Sequence, residues 1–325
     1  MFKPIFRVVL GVLSLVLVGA GAAHAQTFPT KPIRMVVGFA PGGSTDKLAR
    51  VLAQRMTEIL GQTVVVENRP GVAGNIAAEL VATAPPDGYT LFMATLSSQA
   101  INPHLYSKLR FDPIKSFEPI TLVAKYPLLL VVAPQLQIDS VQGLVAHAKA
   151  NPGKTFFASS GNGSPAHLAG EIFKAATSTD VRHVPYKGGG PAMMALMSNE
   201  VQFGFETIPS AIGHARSGKL KGLAVTSEQR STAATELPTM QEAGIKGFPV
   251  TSWAGLLAPA GTPKDVVARL TQVTQAAINS PTVKSTLVAD GAEPGGGSSA
   301  DFARFMGDEL KAWGEVVRAA GATVD

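Results

Sequence analysis

The chain contains no cysteine. Disulfides, thiolate nucleophiles and a lipid-modified N-terminal cysteine are thereby excluded. Charge is sparse, at 16% of residues, and forms no basic run interleaved with aromatics. That excludes a nucleic-acid surface. Catalytic signatures are missing as well. There is no G-x-S-x-G elbow and no H-E-x-x-H pair, and His104, His147, His167, His183 and His214 are scattered without metal-ligand spacing. No metal and no cofactor are expected. Beyond residue 25, no apolar run reaches the ~20 residues that a membrane-spanning helix needs.

What is present begins with an export signal. Lys3 and Arg7 precede an uncharged apolar run from Val8 to Ala22, and Ala23-His24-Ala25 puts small residues at the two positions a signal peptidase reads. The pattern predicts a cleaved signal peptide over residues 1–25 and a mature protein starting at Gln26 in a bacterial periplasm. Removing 25 of the 325 residues leaves 300, enough for two domains of ~100–200 residues. The formal charge of +5 includes Lys3 and Arg7, so the mature chain carries +3, a mild excess suited to attracting small anions.

The mature chain alternates short β-branched runs with longer amphipathic segments. Ile33 to Gly38 reads as a buried strand and Thr45 to Leu60 as a helix with Leu48, Val51, Leu52, Met56, Ile59 and Leu60 on one face. Thr63 to Glu67 reads as the next strand. Such a βαβ unit predicts a parallel sheet. The alternation continues through a helix at Asn75 to Ala84 and strands at Tyr89 to Ala94, Ile120 to Ala124 and Leu128 to Ala133. A second series follows, with strands at Thr155 to Ser159, His183 to Pro185, Val201 to Phe205 and Leu220 to Val225. The C-terminal third holds helices at Val266 to Ala277, Ser280 to Ala289 and Ser299 to Ala319 but few strands. These helices are most economically packed on the first sheet. That places residues 26–127 and 249–325 in domain 1 and 128–248 in domain 2, with crossings near Ala124 to Pro127 and Phe248 to Trp253. A two-lobed α/β fold has a cleft, and clefts at strand carboxyl ends hold ligands.

Strand-to-helix loops supply the lining. Gly38 to Asp46 is glycine-rich, with Ser44 as candidate N-cap, and free amides at a helix start attract an anion. Gly38 and Gly43 have phosphate-loop spacing, but Ser44 stands where the phosphate lysine belongs. Ser159 to Ala166 matches a dinucleotide fingerprint loosely, without the acidic residue for a ribose. Tyr186 to Pro191 is a third glycine-rich helix start. Thr95 to Ser98 and Glu206-Thr207 follow other strands. His167, one turn into a helix, is a candidate to face the cleft.

The strings K-P-I-R-M-V-V-G-F-A-P-G-G-S-T-D from Lys31, V-E-N-R-P-G-V-A-G-N from Val66, P-D-G-Y-T-L from Pro86 and H-V-P-Y-K-G-G-G-P-A from His183 resemble the Bug family. G-K-L-K-G-L-A-V-T-S from Gly218 and W-A-G-L-L-A-P-A-G-T-P from Trp253 extend the likeness. That family comprises the substrate-binding proteins of tripartite tricarboxylate transporters, similar to the TctC type. The resemblance implies a type II periplasmic binding-protein fold closing over one small carboxylate. It also implies delivery of the ligand to membrane transporter subunits, and the protein is expected to be a monomer. Carried over by motif, the ligand-binding set is Phe39, Pro41, Gly42, Gly43, Ser44, Thr45, Asp46, Thr95, Ser97, Ser98, Ser160, Gly161, Asn162, Gly163, Ser164, His167, Tyr186, Lys187, Gly188, Gly189, Pro191 and Ala192. Glu206 stands where the family usually has aspartate. A carboxylate there is expected to repel a second anionic group and to favour a hydroxyl, an amine or a bridging water. A sensor delivering ligand to a signalling receptor is the alternative that keeps this fold, and a secreted hydrolase is the alternative outside it.

Overall fold

The computed structural model describes residues 28–246, 248 and 250–322. The expected signal over 1–25 lies outside them. Strand β1 (Ile33–Val37) runs parallel to β2 (Val64–Asn68) on one side and β3 (Thr90–Thr95) on the other. Helix α1 (Ser44–Leu60) connects β1 to β2 and buries Leu48, Leu52 and Met56, one turn apart on a single face. It stops at Gly61, whose left-handed conformation lets its N–H reach the Thr57 carbonyl. Helix α2 (Asn75–Ala82) and the short α3 (Asn102–Leu105) flank β3.

The sheet is not all-parallel, contrary to the expectation from the βαβ pattern. Strand β3 pairs antiparallel with β9 (Thr251–Pro259), and β9 pairs antiparallel with β4 (Phe117–Val132). Ile120 to Ala124 and Leu128 to Ala133, which read as separate strands in the sequence, belong to a single 16-residue strand up to Val132. It runs through Pro119 and Pro127, and each proline occupies a paired position opposite β9 without ending it. Strand β9 gives no sequence signal because it is buried on both faces from Ser252 onward, so it shows no alternation.

Strand β4 also belongs to a second sheet. Its Phe117–Pro127 portion pairs with β9, whereas Leu128 to Val132 pair antiparallel with β7 (Phe203–Thr207) and β8 (Lys221–Val225). Strand β5 (Thr155–Ser159) runs parallel to β7 and to β6 (Val181–Pro185). Helices α4 (Val141–Ala150), α5 (Pro165–Thr177), α6 (Gly189–Met197) and α7 (Ile208–Arg216) cover this sheet. Helix α7 tolerates Pro209 because a proline in the first turn removes an N–H that has no intrahelical partner anyway. Phe157, Phe173, Phe203, Phe205 and Phe248 form a continuous aromatic core, with Phe205 stacked on Phe248 at 5.2 Å.

The C-terminal segments return to the first sheet. Helix α8 (Lys264–Ile278) donates from Thr271 to the Ile120 carbonyl at 3.1 Å, and α10 (Ser299–Ala320) sets Phe302 edge-on to Trp253 at 5.8 Å. Between them α9 (Pro281–Ala289) precedes the short strand β10 (Glu293–Gly296), which pairs with β4. Where β4 changes sheets, buried Thr226 ties the neighbouring backbones together. Its hydroxyl oxygen accepts the Leu128 N–H at 2.8 Å and its O–H donates to the Val250 carbonyl at 2.6 Å.

Candidate functional site

The carboxyl ends of β1, β3, β5 and β7 converge on a small cavity. The loop after β1 supplies Phe39, Gly43, Ser44 and Thr45. The segment after β3 supplies Ser97 beside the strand's own Thr95, and the loop after β5 supplies Ser160 and Pro165. Gly189, Glu206 and Thr207 complete the second sheet's side, and Tyr126 and Ser252 come from the paired strands β4 and β9.

The polar chemistry of this cavity is lopsided. Thr95 Oγ1, Ser97 Oγ, Thr207 Oγ1 and Glu206 Oε1 are buried without a hydrogen-bond partner in the protein. An unsatisfied buried polar group costs roughly 1–3 kcal/mol, so four together at one cavity mark a place built for a polar ligand. Among the described residues no lysine, arginine or histidine lines it. Glu206 is 2% exposed, and burial pushes its carboxyl up to about 7, against a smaller opposite pull from the Thr207 amide and the Ser160 hydroxyl. Burial therefore lets this carboxyl hold a proton to a higher pH than an exposed glutamate does. Burial likewise raises the Tyr126 phenol to about 12, although the Ser252, Thr45 and Ser44 hydroxyls lie against it.

A second, larger outer pocket shares Phe39 and Ser160 with the first and adds Val72, Tyr106, Gly161, Asn162, Tyr186 and Lys187. Its rim is strained. Val72 and Ala73 have φ of 48° and 46°, the left-handed region that side chains other than glycine and asparagine rarely adopt. Tyr106 donates to the Asn162 carbonyl at 3.3 Å, and Tyr186 donates to Glu200 at 2.7 Å. The Ala40 N–H donates to the Lys187 carbonyl at 3.0 Å, joining the first loop to the third.

Other sequence candidates support these walls, most of them without lining the inner cavity. Ser44 lines it but is not the N-cap of α1. Gly43 is, in an extended conformation, which makes Ser44 the first helical residue. Asp46 braces the loop. It accepts the Gly42 N–H at 3.0 Å and Asn68 Nδ2 at 2.9 Å, and it pairs with Arg50. Burial alone would raise its carboxyl, and these partners, Arg50 foremost, hold it below the ordinary value. Pro41 and Gly42 are exposed on the loop's outer side. Ser98 bonds back to Thr95. Ser164 caps α5 through the His167 N–H, and Gly163 packs on Asn102. Gly188 caps α6, while Pro191 and Ala192 lie inside its first turns, Ala192 fully buried.

His167 does not face the cleft, contrary to its position in the sequence pattern. It lines neither pocket. It lies 3% exposed beneath the second loop, accepting the Gly163 N–H on Nδ1 at 3.2 Å and stacking on His183 with ring centroids 4.2 Å apart. Burial lowers its imidazole to about 4. Burial, and then the neighbouring His167, lowers His183 to about 3. The Ser159 hydroxyl holds His183 Nε2 at 2.6 Å. The histidines form a neutral structural pair. Among the described residues no cluster of acidic and histidine side chains could hold a metal ion.

A family model described as the tripartite tricarboxylate transporter family receptor matches residues 48–322. The chain belongs to this family. Protein BugT of Bordetella pertussis is 38% identical over 317 residues, covering 96% of this chain and 97% of BugT. Among solved structures, R. palustris Rpa4515 with adipate is 38% identical with a TM-score of 0.89, covering 91% of the receptor and 100% of that chain. MatC (Rpa3494) from Rhodopseudomonas palustris with bound malate is 32% identical with a TM-score of 0.85, covering 89% and 100%. The two-lobed periplasmic binding-protein fold follows.

Among the residues lining the receptor's two pockets, Tyr126, Ser252, Tyr106 and the run Gly71, Val72 and Ala73 escape a reading of the sequence alone. Tyr126 and Ser252 face each other across the β4–β9 register, and neither follows a glycine-rich loop. Thr207, by contrast, is legible in the sequence, since it follows Glu206 at the end of a strand.

Proposed function

We propose that this receptor captures a small organic carboxylate in the inner cavity of its cleft, in the periplasm, and delivers it to the membrane subunits of a tripartite tricarboxylate transporter. The observation that carries the reading is the set of buried hydroxyls of Thr95, Ser97 and Thr207, unpartnered within the protein and gathered at one cavity. Hydroxyls and loop amides donate to a carboxylate without an ion pair, as the family resemblance implies. The acids held by the two R. palustris relatives support the ligand class. Export with cleavage before Gln26 gives the location.

The lobes of this proposal are 26–127 with 249–325, and 128–248. Ligand held by residues of both lobes stabilises the closed form, so it shifts the population toward closure. Small-angle scattering should show a smaller radius of gyration at saturating ligand. An unchanged curve with ligand bound would mean a rigid cleft.

A thermal-shift screen over dicarboxylates, hydroxy acids, acidic amino acids and aromatic acids tests the function itself. A ligand present at 100 times its dissociation constant adds about 2.7 kcal/mol of stability, enough for a clear rise in melting temperature. A panel in which sugars or bases stabilise the receptor and carboxylates do not would overturn the proposal.

A further inference from the structure

Among the described residues Glu206 is the only ionisable carboxyl lining the inner cavity, and its Oε1 has no partner there. The elements packed around it bring no charge to it. From β4 comes the neutral phenol of Tyr126, from α6 the backbone of Gly189, from α7 Ser210, and from the loop after β5 Ser160. A Cβ at Gly189 would stand 2.7 Å from both Glu206 Oε2 and Ser210 Oγ, so the Oε2 side of the carboxyl is closely packed, and Oε1 is buried without a partner. The cations nearby in sequence are already engaged. Lys47 donates to the Pro209 carbonyl at 3.2 Å, and Arg50 is paired with Asp46.

A ligand carboxylate entering this cavity therefore meets hydroxyls and one carboxyl group, and no positive charge. Two carboxylates in contact in a buried site cannot both stay ionised, whereas a carboxylic acid and a carboxylate share one short, charge-assisted hydrogen bond. We propose that Glu206 is the specificity-determining residue of the inner cavity and that this receptor takes up one proton with each acid it binds, the proton bridging Glu206 Oε1 and a ligand carboxylate oxygen. The proton comes from solvent and no covalent bond changes. The proposal rests on the carboxylate reading above. An acid whose inner end is a carboxylate binds Glu206 with proton uptake, whereas a ligand that places an ammonium or hydroxyl against Glu206 binds without it.

Burial that raises the Glu206 carboxyl to about 7 sets the pH window. Below that value the proton is already on the receptor. Above it, the proton must come with the ligand.

The test is titration calorimetry with malate, succinate and adipate at pH 6 and pH 8, each in two buffers of different ionisation enthalpy. The difference in observed heat between buffers counts the protons taken up. At pH 8 about one proton per ligand is expected, falling toward zero at pH 6, with affinity weakening about tenfold between the two. Glu206→Gln, neutral throughout, should show neither the uptake nor the pH dependence. Binding at pH 8 without proton uptake by the parent overturns this inference and leaves carboxylate capture standing. Failure of every acid to bind overturns both.

Discussion

Acidification from pH 6.5 to 4 should lower the receptor's unfolding free energy by about 3 kcal/mol. The stacked His167 and His183 are the cause. Folded, they take up protons only near 4 and 3, whereas an unfolded histidine does so near 6.5. Between those values the unfolded chain binds more protons than the folded one, so stability falls as pH falls. Moving a protonation midpoint by one pH step is worth about 1.4 kcal/mol, which gives about 3 kcal/mol for each histidine by pH 4. Glu206 acts in the opposite sense. Its folded carboxyl keeps a proton up to about 7 against 4.5 unfolded, so its contribution is fully present below about 4.5 and is lost as pH rises through 7. That offsets one histidine and leaves the net fall stated. Urea unfolding followed by circular dichroism at intervals from pH 4 to 7 measures it. In His183→Gln one histidine is gone and the remaining one balances Glu206, so the fall should flatten. A parent profile that is already flat would show that the pair is hydrated or protonated in the native state.

Gly43→Val should cost about 1–3 kcal/mol of ligand affinity, roughly five- to 150-fold, without unfolding the protein. Gly43 lies at the inner cavity and against the opposite loop. A Cβ there would stand 3.4 Å from the Gly189 nitrogen and 3.7 Å from the Gly190 nitrogen. One methyl fits that gap at van der Waals distance, but the two branches of valine do not. The backbone at Gly43, φ −79° and ψ 173°, is extended, and valine adopts it readily, so the damage is confined to the meeting of the two loops. Gly43→Ala should therefore retain most of the affinity. Calorimetry on the parent and both variants, with ligand-free melting temperatures as the control for folding, checks the series. Parent-like binding by Gly43→Val would make this loop structural only.

Local pattern makes part of this molecule legible and hides the rest. Strand β1, the glycine-rich loop and α1 are readable because I-R-M-V-V is largely apolar and buried and Leu48, Leu52 and Met56 recur at the helical period. Glu206 is legible as a residue near the end of a buried strand. What stays hidden depends on distant partners. The antiparallel β9 has no alternation because both of its faces are covered, and the continuity of β4 through Pro127 is decided by its pairing with Thr251. Tyr126 and Ser252 reach the cavity only because those strands lie side by side. His167 looks free to face the cleft because nothing in its own helix shows that His183, on a neighbouring strand, stacks on it. The charge state of Glu206 is likewise set by complete burial, which strand position suggests but does not measure.

The most direct test of carboxylate capture is a crystal structure of the receptor with the acid that stabilises it most. The expected result is a carboxylate of that acid in the inner cavity, accepting hydrogen bonds from the hydroxyls of Thr95, Ser97 and Thr207, with an oxygen within hydrogen-bonding distance of Glu206 Oε1. An acid bound elsewhere, with those four groups still turned away from it, would contradict the account.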